Sequence, residues 1–179
     1  NINTLDGQGE VLITILASLS QNTSKQISDN TKWGIHRRYE QGQFKISTKR
    51  FLGYDHDEND KMVINKGQAK IVKRIYEEYL SGKTTDYITR ILIKERVKNW
   101  NGSTIWHTTT LQSILGNEKY MGDAILQKGY TVDFLTKKRA KNEGQLQSFY
   151  VEESHEAIIE PNMWKCTQLE MKRRKMYLE

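Results

Sequence analysis

From Gly9 to about Gln41 the chain has no proline and one interior glycine, Gly34, and this single property constrains the first part of the fold more than any other. Proline removes a helical hydrogen bond and clashes with the preceding turn, so a run without it leaves an unbroken helix open. Apolar residues fall at Leu12, Ile15, Leu16, Leu19 and Ile27, separated by three, four or their sums, which is the period of one helical face. The expectation is one long helix. Its halves differ in charge: before Lys25 the only charge is Glu10, whereas residues 25 to 50 carry Lys25, Lys32, Arg37, Arg38, Lys45, Lys49 and Arg50 against Asp29 and Glu40. One half is built to pack and the other to meet phosphate.

A polar bridge, Gly42 to Lys49, leads to two short extended runs, Phe51-Leu52-Gly53-Tyr54 and Lys61-Met62-Val63-Ile64, read as a small hairpin around the acidic turn Asp55 to Asp60. A calcium loop would need glycine where Asp60 stands and a bidentate glutamate where Lys66 stands, so calcium binding is set aside. Asn65 can cap a helix from about Lys66 to Leu80, with Val72, Ile75, Tyr76, Tyr79 and Leu80 inward and Lys70, Lys73, Glu77 and Glu78 outside. Ser81-Gly82 ends it. Thr84 or Thr85 caps a second helix through about Arg96, burying Ile88, Ile91 and Leu92. After the turn Asn99-Trp100-Asn101-Gly102, a third helix runs from about Thr108 to Leu115 with Leu111, Ile114 and Leu115 inward.

Beyond Tyr120 the pattern changes to strands, Gly122 to Gln127, Tyr130 to Phe134 and Ser148 to Glu152, with Lys137 to Lys141 in a mobile loop between them. Pro161 suits the first turn of a last helix, Asn162 to about Tyr177, packing through Met163, Trp164 and Leu169.

Composition narrows the partners. Of 179 residues, 36% are hydrophobic and 28% charged, and Lys plus Arg exceed Asp plus Glu by six, which favours a polyanion. The longest apolar run, Val11 to Leu19, has about half the roughly 20 residues a membrane span requires, so no membrane partner is expected. No secretory signal is visible. Cys166 is alone and the four histidines lack zinc-ligand spacing, which fits a reducing, cytoplasmic setting and predicts no metal within the chain.

The second and third helices, joined through Gly102, have the layout of a helix-turn-helix unit whose later helix enters the major groove. Thr108, Thr109, Gln112 and Ser113 on the third helix are short or amide side chains able to bond base edges, with Thr109 and Gln112 the leading candidates. Trp100 and Trp106 are expected to anchor the turn in the core. Phosphate contacts are assigned to Lys32, Arg37, Arg38, Lys45, Lys49, Arg50, Lys119, Lys137, Lys138 and Arg139, with the bridge in the minor groove. No serine or threonine sits in a glycine-bounded elbow, and no base with an orienting partner is evident.

Several segments, taken in order, resemble one family. Gly9-Glu10-Val11-Leu12-Ile13 running into Leu16-Ala17-Ser18-Leu19-Ser20-Gln21 is similar to the helix that closes the catalytic domain of large serine recombinases. Lys49-Arg50-Phe51-Leu52-Gly53-Tyr54, Ala69-Lys70-Ile71-Val72-Lys73-Arg74-Ile75-Tyr76, Tyr79-Leu80-Ser81-Gly82-Lys83 and Ile114-Leu115-Gly116-Asn117-Glu118-Lys119-Tyr120-Met121-Gly122-Asp123 resemble that family's recombinase domain. Tyr130 to Arg139 and Ser154 to Ile159 match as well. The chain departs from the family at Gln21 to Lys25, where glutamates and an arginine are more usual, and at His107-Thr108-Thr109, which replaces Ser-Pro-Ser at the start of the recognition helix.

The resemblance implies a site-specific recombinase of a transposon or phage. In that family a serine of the catalytic domain attacks DNA phosphates, forming 5′-phosphoseryl links within a tetramer that exchanges strands by subunit rotation. No catalytic residue maps onto this sequence, which is expected to start after that serine and to stop before a downstream zinc ribbon, where zinc is expected.

The sequence thus predicts a mainly α (α+β) chain: residues 1–42 closing the catalytic domain as a long dimerisation and linker helix, 43–160 forming the DNA-binding domain with a β-ribbon, and 161–179 a final helix. Expected partners are double-stranded attachment-site DNA and further recombinase subunits, the helix pairing with a second copy through Leu12, Ile15, Leu16 and Leu19. The expected location is the bacterial cytoplasm, on the nucleoid. Two rival readings remain: a non-enzymatic helix-turn-helix regulator and a coiled-coil protein-interaction module.

Overall fold

The computed structural model describes residues 7–59 and 61–177. The chain is mainly helical with short strands: α1 (Gly7–Glu40), β1 (Tyr54–His56), β2 (Met62–Ile64), α2 (Lys66–Leu80), α3 (Thr85–Lys94), α4 (Thr108–Leu115), a 3-10 turn (Glu118–Met121), β3 (Ala124–Leu126), β4 (Gly129–Thr131), β5 (Arg139–Lys141), β6 (Phe149–Val151) and α5 (Pro161–Met176). Each sheet has two strands: β1 with β2, β3 with β6, and β4 with β5. Among the described residues no helix is long and apolar enough to cross a membrane.

Two compact units form: one contains α1 through Phe44 together with Leu126–Phe149, the other Lys45–Ile125 together with the chain from Tyr150 onward. In the first, α1 runs unbroken for 34 residues, as the absence of proline allows. Thr14, Thr23, Ser24 and Thr31 return their hydroxyls to the carbonyls four residues earlier, which satisfies polar side chains that otherwise compete with the helix. Near its end, His36 and Tyr39 meet the Phe149 ring edge-on at 5.0 and 6.2 Å. β4 and β5 pair antiparallel with Tyr130 opposite Ala140.

In the second unit α2, α3, α4 and α5 close around Leu52, Val72, Ile75, Ile88, Leu92, Leu111, Leu115 and Ile159, all essentially inaccessible to solvent. Phe51, Tyr54, Tyr76 and Tyr120 form an aromatic cluster inside this core. Buried phenols need partners, and each finds a carbonyl: Tyr54 donates to Glu156 O (2.8 Å), Tyr120 to Leu52 O (2.9 Å) and Tyr76 to Ile114 O (2.8 Å). Burial drives all three hydroxyls above the usual tyrosine range, so they stay protonated and donate, and Tyr54 also accepts from the Ile158 amide (3.2 Å). Gly53 (φ +99°) lies against Ile158 and Val72, where an added Cβ would sit 2.6 Å from Ile158 Cδ1.

Three helices end in the same reciprocal pair of hydrogen bonds, from the second residue past the cap to the third-last helical carbonyl and from the first to the second-last. At α1 these are Gln43 N to Arg38 O and Gly42 N to Tyr39 O; at α2, Lys83 N to Glu78 O and Gly82 N to Tyr79 O; at α3, Val97 N to Leu92 O and Arg96 N to Ile93 O. The motif requires a left-handed residue in its middle. Glycine fills it at Gly42 (φ +66°) and Gly82 (φ +98°), but α3 places Arg96 there at φ +53°.

Several expectations need correction. The first hairpin strand starts at Tyr54, not Phe51: Phe51 and Leu52 turn into the core and Gly53 leaves the extended region, its N–H bonded to Gln68 Oε1. The strand expected over Tyr130 to Phe134 stops at Thr131, because Asp133 accepts from the Leu135 and Thr136 amides and forms a turn. The expected loop Lys137 to Lys141 is partly strand, with Arg139–Lys141 paired to β4. In α3 the helix stops at Lys94, since Arg96 is left-handed. Glu78 is not outside: it binds Arg74 through Oε1 and lies 3.4 Å from Lys83 through Oε2. Leu80 and Ile91 are only half-buried. Leu169 is 67% exposed, because α5 packs through Met163, Trp164, Thr167 and Met171, a stripe that position 169 misses. Asp60 of the acidic turn lies outside the described residues; Asp57 Oδ1 in that turn accepts from Asn59 and Lys61 amides.

Candidate nucleic-acid interface

α4 is two turns long and its two faces have separate tasks. Leu111, Ile114 and Leu115 are buried, while Thr109, Gln112 and Ser113 are exposed and Thr108 is half-buried. The helix is gripped from behind at its C-terminal end. Tyr76 donates to Ile114 O, Gln168 Nε2 to Leu115 O (2.7 Å), and Trp164 Nε1 to Asn117 O (3.2 Å). These bonds satisfy carbonyls that the end of a helix leaves without partners.

The segment feeding α4 is equally fixed. Asn99 is its hub: Oδ1 accepts from the Asn101 and Ser103 amides, and Nδ2 donates to Ile105 O (3.0 Å). Gly102 takes φ +80° with open space around it. Trp106 is buried and donates through Nε1 to Val97 O (2.9 Å), tying the end of α3 to the start of α4. Trp100 packs against the same core, so both tryptophans anchor the turn, as expected. Ile105, by contrast, is 62% exposed directly before α4.

Of the four base-reading candidates, Thr108, Thr109 and Gln112 make no side-chain hydrogen bond among the described residues, and of these three Thr109 and Gln112 are exposed. Ser113 Oγ donates to Thr109 O (2.9 Å), so toward solvent it can only accept. Beside this face lies a cleft of about 190 Å³ whose walls include Arg50, Trp100, Thr110, Ser113 and Asn117 over a floor of Leu52 and Tyr120. Arg50 comes from the bridge and Ser113 from α4.

The phosphate candidates divide by whether they are already paired. Lys32 lies 3.9 Å from Asp29, and Arg37 pairs with Glu40 (3.4 Å) while stacking on Trp33. Arg38, Lys49, Arg50, Lys137, Lys138 and Arg139 are exposed, and no ion pair occupies them among the described residues. Lys45 is exposed and has a partner of its own, and Lys119 is half-buried, its carbonyl accepting from His155 Nε2 (2.6 Å). In the second unit Lys45, Lys49, Arg50 and Lys119 share a body with α4; Lys32, Arg37, Arg38 and the ribbon cations belong to the first unit. Leu12, Ile15, Leu16 and Leu19 are 39%, 57%, 48% and 61% exposed, an apolar row on α1 that nothing among the described residues covers.

The sequence carries one further signal: from Arg96 to Asn117 there is no carboxylate. A surface meant for phosphate loses affinity with each acid it carries, and this segment contains the whole approach to α4 and α4 itself. It holds Arg96 and Ile105, which neither periodicity nor charge grouping singles out.

Nothing in the described chain resembles an activated nucleophile. Ser154 Oγ lies 2.7 Å from His155 Nδ1, yet the hydroxyl is bonded to Gly122 O and the imidazole to Lys119 O, so the pair pins a turn. Burial holds the His155 pKa below the ordinary imidazole value. No three His, Cys, Asp or Glu side chains among the described residues converge as metal ligands, and Cys166 is exposed and alone.

The Recombinase family model matches residues 66–174. No curated protein matches the sequence. Among solved structures, one from a study of the sequence requirements of the Listeria innocua prophage attP site shares the fold at a TM-score of 0.56 with 20% identity, over 80% of this chain and 52% of that one. Another, a crystal structure of an LSR–DNA complex, aligns at a TM-score of 0.47 with 21% identity, over 72% of this chain and 34% of that one. The chain therefore spans about half the length of the first. Its helices from α2 to α5 are the segment the family model covers, and the chain belongs to the Recombinase family, that of the large serine recombinases.

Proposed function

We propose that this chain grips duplex DNA at a recombination attachment site, with α4 in the major groove and the bridge before β1 along the sugar-phosphate backbone. The observation that carries the reading is the cleft shared by Arg50 and Ser113. The Arg50 guanidinium, unpaired among the described residues, stands next to the polar face of a helix about 12 Å long, a length the major groove accepts. In this reading phosphate-binding and base-reading groups stand side by side, the division of labour that specific DNA binding uses.

Thr109 and Gln112 read base edges in this proposal, Ser113 accepts from one, and Thr108 stands at the groove edge. Lys45, Lys49, Arg50 and Lys119 meet phosphates near α4; Lys32, Arg37, Arg38, Lys137, Lys138 and Arg139 do so from α1 and the ribbon. Covalent strand exchange through a phosphoserine belongs to a catalytic domain carried elsewhere in the enzyme, and zinc to a separate ribbon. The exposed row Leu12, Ile15, Leu16 and Leu19 pairs with the same row of a second subunit.

Titration of duplex DNA at several salt concentrations tests the reading. Binding should weaken on a log-log slope of about 0.9 for every phosphate contacted. A flat response removes DNA binding and leaves a protein-interaction module. Joining the chain to a catalytic domain and finding no 5′-phosphoseryl adduct on bound DNA would leave a regulator instead.

A further inference from the structure

We propose that Arg96 is a DNA-phosphate contact, held in an unfavourable backbone conformation for that purpose. The inference rests on the DNA-binding reading above and adds a residue that reading does not contain. Among the described residues three helices end in the same hydrogen-bonded motif, and two fill its left-handed position with glycine, at Gly42 and Gly82. The third uses Arg96 at φ +53°. Side chains with a Cβ are disfavoured there, so glycine would make the same turn with less strain.

Among the described residues the Arg96 guanidinium has no ion pair and no hydrogen bond, and the residue is exposed. Most other arginines are engaged: Arg37, Arg74, Arg90, Arg173 and Arg174 all pair with carboxylates, and those that do not are Arg38, Arg50, Arg139 and Arg96. Three of these four are phosphate candidates on other grounds. Position also fits, because Trp106 Nε1 donates to Val97 O, which fastens the residue after Arg96 to the residue two before α4. Arg96 therefore opens the carboxylate-free segment that ends with α4, beside the start of the helix.

The strain supplies a test that unfolding cannot imitate. Arg96→Gly should raise Tm by about 2–4 °C, since it relieves the backbone, and yet bind a random-sequence duplex more weakly, by about fivefold in moderate salt. Its log-log salt slope should be shallower than the parent's by about 0.9, one phosphate fewer. Arg96→Lys, which keeps both charge and strain, should keep the parent's slope. A glycine variant that binds with the parent's affinity and slope overturns the proposal while leaving DNA binding intact; a parent chain with no salt-dependent binding overturns both. Should Arg96→Gly prove less stable than the parent, the strain argument falls, and an unchanged slope for a folded Arg96→Asn would then dismiss the contact as well.

Discussion

The Tyr76 hydroxyl donates to the Ile114 carbonyl at 2.8 Å and lies 3.2 Å from the Leu115 carbonyl, so the middle of α2 holds the last turn of α4. Both acceptors have a second donor, Asn117 N for Ile114 and Gln168 Nε2 for Leu115. Tyr76→Phe therefore leaves no carbonyl bare, and should cost about 1 kcal/mol, the net value of one buried hydrogen bond. Urea denaturation measures it; a loss of about 3 kcal/mol or more would mean that α4 is displaced when the hydroxyl goes.

Gln112 and Arg38 should fail in different ways. If the exposed amide of Gln112 reads a base, Gln112→Ala loses about 1–3 kcal/mol on a selected cognate duplex and little on random DNA. Arg38→Ala should weaken both to the same extent and flatten the salt slope. Fluorescence anisotropy with the two duplexes separates them, and parallel losses in the two variants would refute the assignment.

Two left-handed glycines make a controlled pair. Gly102 has open space around it, so Gly102→Ala should lose only the backbone preference, about 1–2 kcal/mol. At Gly53 the same methyl would enter 2.6 Å from Ile158 Cδ1, adding overpacking of about 1–3 kcal/mol to the backbone cost. Equal denaturation midpoints for the two variants would show that the Ile158 contact is absent in solution.

His155 sets a pH dependence with a definite sign. Burial lowers its pKa, and the Lys119 charge pushes the same way while Asp123, Glu118 and the Lys119 carbonyl oppose. The folded state thus holds a neutral ring, with a pKa below the unfolded value near ~6.5. Stability from this group is complete above that value and is lost as pH falls through the folded pKa, because the unfolded chain takes up the proton first. Thermal melts from neutral to mildly acidic pH should fall more steeply for the parent than for His155→Gln; identical slopes would place the titration elsewhere.

Helical elements were the legible part of this sequence. α2 and α4 lie within the bounds their periodicity and caps predict, and Asn65 and Thr84 each accept the capping hydrogen bonds their side chains can make. Elements that depend on distant or single-residue events were less visible. Arg96 ends α3 by adopting a conformation normally left to glycine, which no propensity anticipates. Gly53 bends the chain because Ile158, more than a hundred residues away, needs the space. The site was half readable: polar residue types on α4 and basic runs stand out in a string of letters, but which cations are already neutralised depends on neighbours such as Asp29 and Glu40 being within reach. Leu169 failed for a simpler reason, since α5 buries only one narrow stripe and hydrophobicity alone does not say which.

All the bonds that hold α4 in place reach it from its inner side or through backbone carbonyls. Positions 109, 112 and 113 consequently take no part in keeping the helix where it is, apart from one hydroxyl bond within the helix itself. If those outward letters read DNA as proposed, a lineage following a drifting target, or a laboratory library aimed at a new one, can exchange them and inherit an intact scaffold each time.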